Sequence, residues 1–169
     1  MDPSQDDKGN YALYSDGKLL GYSGVTMIQG KKIVNKYVVP LNTLIQAAAK
    51  DKVTLMIDSG FRTWNEQFNI RKNNLIDRTK VNDRNYIITA DAGLFSPRTA
   101  KPGFSNHQDG DAVDFNVNYP GVYKWMVHNA LQHGWIRTVP SETWHWQYLP
   151  GTGKFQYVPQ NHPSWAGLV

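Results

Sequence analysis

The sequence predicts a compact domain that mixes helices and strands. Three observations carry that expectation. Asp16-Gly17 and Gln29-Gly30 are tight-turn signals, each set between apolar runs. Leu41, Leu44, Ile45 and Ala48 recur at helical spacing. Residues 111–117 alternate as a strand, with Val113, Phe115 and Val117 on one face and Ala112, Asp114 and Asn116 on the other. The chain has 169 residues, enough for one domain with a real core. Hydrophobic residues at 40% and charged residues at 19% are ordinary for a soluble globular protein. There is no repeat or low-complexity tract.

Taken in order, residues 1–10 read as a flexible tail. Residues 11–37 read as a hairpin extension built on the two turn signals. A helix over 38–50 follows, with Pro40 in its first turn. Residues 53–58, VTLMID, read as a short apolar strand. Thr63 with Glu66 three places on is a capping-box signature for a helix to about Asn73. Residues 77–104 read as a long irregular loop, a type that is usually functional or disordered. Pro120 opens a further helix, which Gly134 closes. Residues 144–148 are the last strong strand, and residues 150–169 are a turn-rich tail. The core of the domain is placed at 38–149.

Charge and composition narrow the function classes. The net charge is +4 and the pI about 9.2, which favours an anionic partner such as nucleic acid, cell-wall polymer or a membrane surface. No Lys/Arg run or basic helix face is present, so specific nucleic-acid binding has weak support. The absence of cysteine excludes disulfides and cysteine-ligated metal. The acidic start MDPSQDDKGN has no apolar signal-peptide core, so the expectation is either a mature form or another export route. No stretch approaches a membrane span. Aromatics are plentiful, with Trp 6 and Tyr 9, and suit either a core or a cleft for a polar ligand.

Two runs carry chemistry: SNHQDGDAVD at 105–114 and ETWHWQY at 142–148. Their donors fit a catalytic zinc site, which takes three nitrogen or oxygen ligands and keeps a fourth position for water. The candidate ligands are His107, Asp114 and His145, with Glu142 as proton carrier. Asp114 sits in an otherwise apolar strand and needs a partner, either a metal or an arginine. Alternation puts Trp144 and Trp146 on the face opposite the His145 ring. Residues three apart on an ideal strand face opposite ways. Glu142 and His145 therefore share a site only if the backbone bends near Thr143 or the strand starts after Glu142. Pro140 and Ser141 make an irregular entry reasonable. His128, His133 and His162 are read as ordinary surface or core histidines.

The runs resemble the zinc D-alanyl-D-alanine carboxypeptidase and dipeptidase family, the VanY/VanX-like peptidases. The pattern S-x-H-x-x-G-x-A-x-D then E-x-W-H is matched by Ser105, His107, Gly110, Ala112 and Asp114, then Glu142, Trp144 and His145. The upstream pattern S-G-[FY]-R-[ST] is matched by Ser59, Gly60, Phe61, Arg62 and Thr63, with Gln67 after it. The match spans about residues 38–149 and leaves out the N-terminal hairpins and the C-terminal tail.

The resemblance implies an α+β fold shared with lysostaphin-type enzymes and the hedgehog domain. In it a small antiparallel sheet carries one zinc ion and helices pack on its other face. It implies hydrolysis of peptidoglycan stem peptides in the periplasm or cell wall. The sequence leaves the oligomeric state open, with a monomer favoured. The E-x-W-H-W form tilts the expectation to D,D-carboxypeptidase. An L-alanyl-D-glutamate-type endopeptidase of a phage lysin or delivered toxin, and a non-catalytic zinc module, are the alternatives. Arg62 would stabilise the tetrahedral oxygen; its plain alternative is a salt bridge. Ser105 and Gln67 resemble substrate-contacting positions, with capping as the alternative. Trp144 and Tyr148 either wall the pocket or pack in the core. Arg98 and Lys101 either meet a substrate carboxylate or are solvated surface.

Overall fold

The computed structural model describes residues 4–151. In chain order its strands and helices are β1 (Tyr11–Ser15), β2 (Lys18–Ser23), β3 (Val25–Ile28), β4 (Lys31–Val34), α1 (Val38–Lys50), β5 (Ile57–Ser59), α2 (Trp64–Asn74), α3 (Arg84–Thr89), β6 (Ala112–Phe115), α4 (Val122–Asn129), β7 (Trp135–Ile136) and β8 (His145–Tyr148). They form two compact units. One comprises residues 4–25 and 62–110, the other 26–61 and 111–151. No helix among the described residues is long and apolar enough to cross a membrane.

In the first unit, β1 and β2 pair antiparallel through a turn in which Asp16 (φ 49°) and Gly17 (φ 75°) are both left-handed. That is the geometry that matches strand twist in a two-residue hairpin. Residues 4–10 are tied down, contrary to the expected loose tail. Ser4 is buried, its hydroxyl accepts the Asn65 N–H at 3.0 Å, and its carbonyl accepts the Ala12 N–H at 2.8 Å. Residues 1–3, and the tail residues 152–169 with His162, lie outside the described residues. Helix α2 begins on the expected capping box, with Thr63 Oγ1 accepting the Glu66 N–H and Glu66 Oε2 accepting the Thr63 N–H.

The expected irregular loop over 77–104 is a folded lobe. Asp77, Asp83 and Asp91 each accept a backbone N–H at the start of a short turn or of α3. Leu75, Ile87 and Phe95 make a small core. Arg71 of α2, fully buried, crosses that core and donates to the carbonyls of Thr99, Ile87 and Ala90 above the Phe95 ring. Burial lowers its pKa, and the nearby Asp91 carboxylate works against that shift.

The second unit is built on an antiparallel sheet of order β5-β6-β8-β7. Helix α1 buries Leu41, Leu44 and Ala48, and α4 buries Val122, Trp125 and Met126. Both pack with Val113, Phe115, Trp135 and Trp146 of the sheet. Each fully buried leucine contributes about 1.5–3 kcal/mol. Gly121 and Gly134, both left-handed, bound the segment of α4 and its closing 3-10 turn, so the helix starts after Pro120 rather than on it.

The expected strand over 53–58 shrinks to β5. Gln29 explains why: its amide donates to the Leu55 carbonyl at 2.9 Å and accepts the Ile57 N–H at 2.7 Å. A side chain thus occupies the place of a strand partner. Gly60, next to β5, is required by β4. A Cβ there would stand 2.4 Å from the Lys32 carbonyl oxygen, the same oxygen that accepts the Phe61 N–H at 2.7 Å.

Candidate metal centre

Register builds the heart of the site. In the β6–β8 ladder Val113 lies opposite Trp146 and Asp114 lies opposite His145. Val113 and Trp146 point into the core. Period-two alternation therefore sends Asp114 and His145 together to the other face. Their side chains meet at 3.0 Å, His145 Nδ1 to Asp114 Oδ1. His145 is buried and Asp114 half-buried.

The difficulty over Glu142 resolves by the second of the two routes. Strand β8 starts at His145, and Glu142 lies in the turn before it. The turn is closed by the Glu142 N–H to the Val139 carbonyl and the His145 N–H to the Glu142 carbonyl. This returns the Glu142 carboxylate to 3.7 Å from His145 Nδ1, with its side chain 39% exposed, open to water and to a ligand. Trp144 also precedes the strand and is exposed, so only Trp146 of the two tryptophans faces the core.

His107 lies in a 3-10 turn, Asn106–Gln108, and is buried. Ser105 caps that turn, its hydroxyl accepting the His107 N–H at 3.3 Å. Buried Gln108 closes the box by accepting the Ser105 N–H. The His107 carbonyl accepts the Arg62 N–H at 3.0 Å. His107, Asp114 and His145 are the group among the described residues whose donors could hold one metal ion. Two imidazoles and one carboxylate are the donor chemistry of a catalytic zinc site, whose bond lengths set tetrahedral ligand atoms roughly 3.3 Å apart.

The remaining predicted residues divide. Arg62 is half-buried and donates to Gln67 Oε1 at 2.9 Å. Gln67, expected beside a substrate, is fully buried, and its other end donates to the Ala100 carbonyl at 2.8 Å. Ser105 acts as a cap. Tyr148 packs on Trp135 and Tyr37, which is the core alternative. Arg98 and Lys101 are exposed. His128 lies on the surface against the Lys124 carbonyl, and His133 stacks on Trp125.

Arg137 was not anticipated. It is fully buried, donates to the Tyr123 hydroxyl, and holds the Pro140 carbonyl at 3.2 Å, two residues before Glu142. No periodic pattern marks a lone arginine after a two-residue strand.

The family model VanY, described as D-alanyl-D-alanine carboxypeptidase, matches residues 30–151. The chain belongs to the VanY family. A curated relative of that family, a D-alanyl-D-alanine carboxypeptidase of Enterococcus faecalis (strain ATCC 700802 / V583), is 31% identical over 124 residues. The match covers 64% of this chain and 45% of the relative, so the VanY-type chain spans under half of that protein's length. VanYB in complex with D-alanine-D-alanine superposes with a TM-score of 0.59 at 24% identity, covering 81% of this chain and 84% of that one. A mutant of the vancomycin-resistance D,D-pentapeptidase VanY in complex with Zn(II) gives 0.58 at 24% identity, covering 82% and 83%. These likenesses show that the chain has the VanY-type fold, as the motifs imply.

Proposed function

We propose that this VanY-family chain is a zinc-dependent D-alanyl-D-alanine carboxypeptidase that trims peptidoglycan stem peptides at the cell wall or in the periplasm. His107, Asp114 and His145 would hold the metal. One observation carries the reading. Two carboxylates, Asp114 and Glu142, face the same ring nitrogen of His145 at 3.0 and 3.7 Å. One is half-buried, as a ligand should be, and the other is open enough to exchange protons.

When bound, zinc supplies Lewis acidity and makes a water acidic enough to deprotonate near pH 7. Glu142, whose carboxylate is open to water, would serve as general base and then general acid, holding a proton and releasing it to the leaving amine. Asp114 and His145 are held by the ladder, so the donor geometry needs little reorganisation. The Arg62 guanidinium, steadied by Gln67, offers N–H donors to the negative charge that develops on the carbonyl oxygen. The excess of positive charge suits an anionic wall polymer.

Digestion of purified muropeptides, with and without a chelator and read by mass spectrometry, tests the proposal. Loss of one terminal alanine from a pentapeptide, abolished by the chelator, is the expected result. Cleavage between the first two stem residues would move the chain to the endopeptidase reading. No cleavage by zinc-loaded protein would reject both.

A further inference from the structure

The first hairpin lies outside residues 30–151, the span that the family model matches. Its turn is nevertheless joined to the segment that leads into His107. The Gly17 N–H donates to the Gly103 carbonyl at 2.9 Å. The Phe104 ring packs on the turn so closely that a Cβ on Gly17 would stand 2.5 Å from its Cζ. A Cβ on Gly103 would in turn meet Gly17 Cα at 3.3 Å and Tyr14 Cδ1 at 3.8 Å. At the other end of the loop, Gln108 accepts the N–H groups of Gly103 and Ser105 at 2.8 and 3.3 Å.

We infer that the β1–β2 hairpin is a brace that sets the loop carrying His107, with Gly17 as its point of contact. This rests on the zinc reading above. A 3-10 turn of three residues has little stability of its own. Its ligand is positioned by whatever anchors the loop. Gln108 anchors it from inside the loop, and from the helix side the Arg62 N–H holds the His107 carbonyl at 3.0 Å. The third anchor is the hairpin turn, which meets Gly103 and Phe104 just before the Ser105 cap. Metal affinity depends on such supports for the ligands.

The second hairpin supplies the control. Gly30 has the same φ of 75° as Gly17, and follows a left-handed Gln29 as Gly17 follows Asp16. A Cβ at Gly30 meets nothing within 4 Å. Asparagine tolerates positive φ, so Gly17→Asn and Gly30→Asn carry similar backbone costs. Only the first meets Phe104, a half-exposed ring that must swing off the turn to admit the new side chain, so that its packing on the hairpin is lost.

Zinc affinity of the full chain, measured by competition with a chromogenic chelator, is expected to fall about tenfold in Gly17→Asn and to stay at the wild-type value in Gly30→Asn. Phe104→Ala, which withdraws the ring and adds no bulk, is expected to weaken zinc as well. The double variant should then be no weaker than Phe104→Ala alone. Equal affinities in the two asparagine variants overturn the brace. So does unchanged affinity in Phe104→Ala, which decides the question alone if Gly17→Asn does not fold. Wild-type protein that binds no zinc overturns the zinc reading and the brace together; zinc-binding wild type with indifferent variants overturns the brace only.

Discussion

In the β6–β8 ladder two distant residues meet because backbone pairing puts them opposite each other. In residues 77–104 nothing repeats, and the shape is set by one buried cation and three aspartate caps. Asp114 and His145 are a cross-strand pair, placed by the same register that buries Val113 against Trp146. The 84–99 stretch instead closes around Arg71, whose three carbonyl contacts come from Ile87, Ala90 and Thr99. The first construction tolerates a change in a side chain that the ladder carries. The second does not, because its contacts are the side chain.

Beside the ladder, in the turn that enters β8, Glu142→Gln is expected to cost roughly 10²–10⁴ in kcat. Zinc content and melting temperature should stay near wild type, since β8 starts beyond it. Parallel loss of stability would show that the turn, and not proton transfer, was at stake. Arg71→Met should do the reverse. It strands buried carbonyls and removes a cation packed on Phe95, so about 3 kcal/mol of folding stability is expected to go, read as a lower urea midpoint. A shift under about 0.5 kcal/mol, the size expected of an ordinary surface substitution, would mean that the lobe holds itself.

Gly60→Ala sits between these. The new methyl meets the Lys32 carbonyl, part of the backbone, and the predicted cost is about 1–3 kcal/mol by chemical denaturation. The smallest effect concerns Asp77. Hydrogen bonds from the Thr79 side chain and backbone hold its carboxyl below the usual range. A lowered folded-state pKa favours the fold at neutral pH, and the benefit disappears as acid titrates the group. Asp77→Asn should therefore flatten stability slightly below about pH 4, the carboxylate range, and leave the ladder unchanged. A variant with the same pH profile as wild type would count against the cap.

The legible parts of the molecule are those with a local code. Asp16-Gly17 and Gln29-Gly30 announce hairpins because both turn residues must be left-handed. Thr63 and Glu66 announce a helix because they satisfy its orphan N–H groups. The alternation of 111–117 correctly set Asp114 apart from Val113 and Phe115. What escaped was long-range side-chain work. Gln29 substitutes for a strand beside Leu55 and Ile57, Arg71 organises a lobe, and Arg137 props the turn before Glu142. Each depends on a partner chosen by the fold, so no spacing reveals it. The placement of Trp144 failed for a smaller reason: the strand begins one residue later than its alternation suggested.

Zinc stoichiometry, counted by native mass spectrometry in wild type and in Asp114→Ala, is the most direct test of the metal centre. One ion per wild-type chain and almost none in the variant is the predicted result. Equal occupancy in both, or no zinc in either, would contradict it.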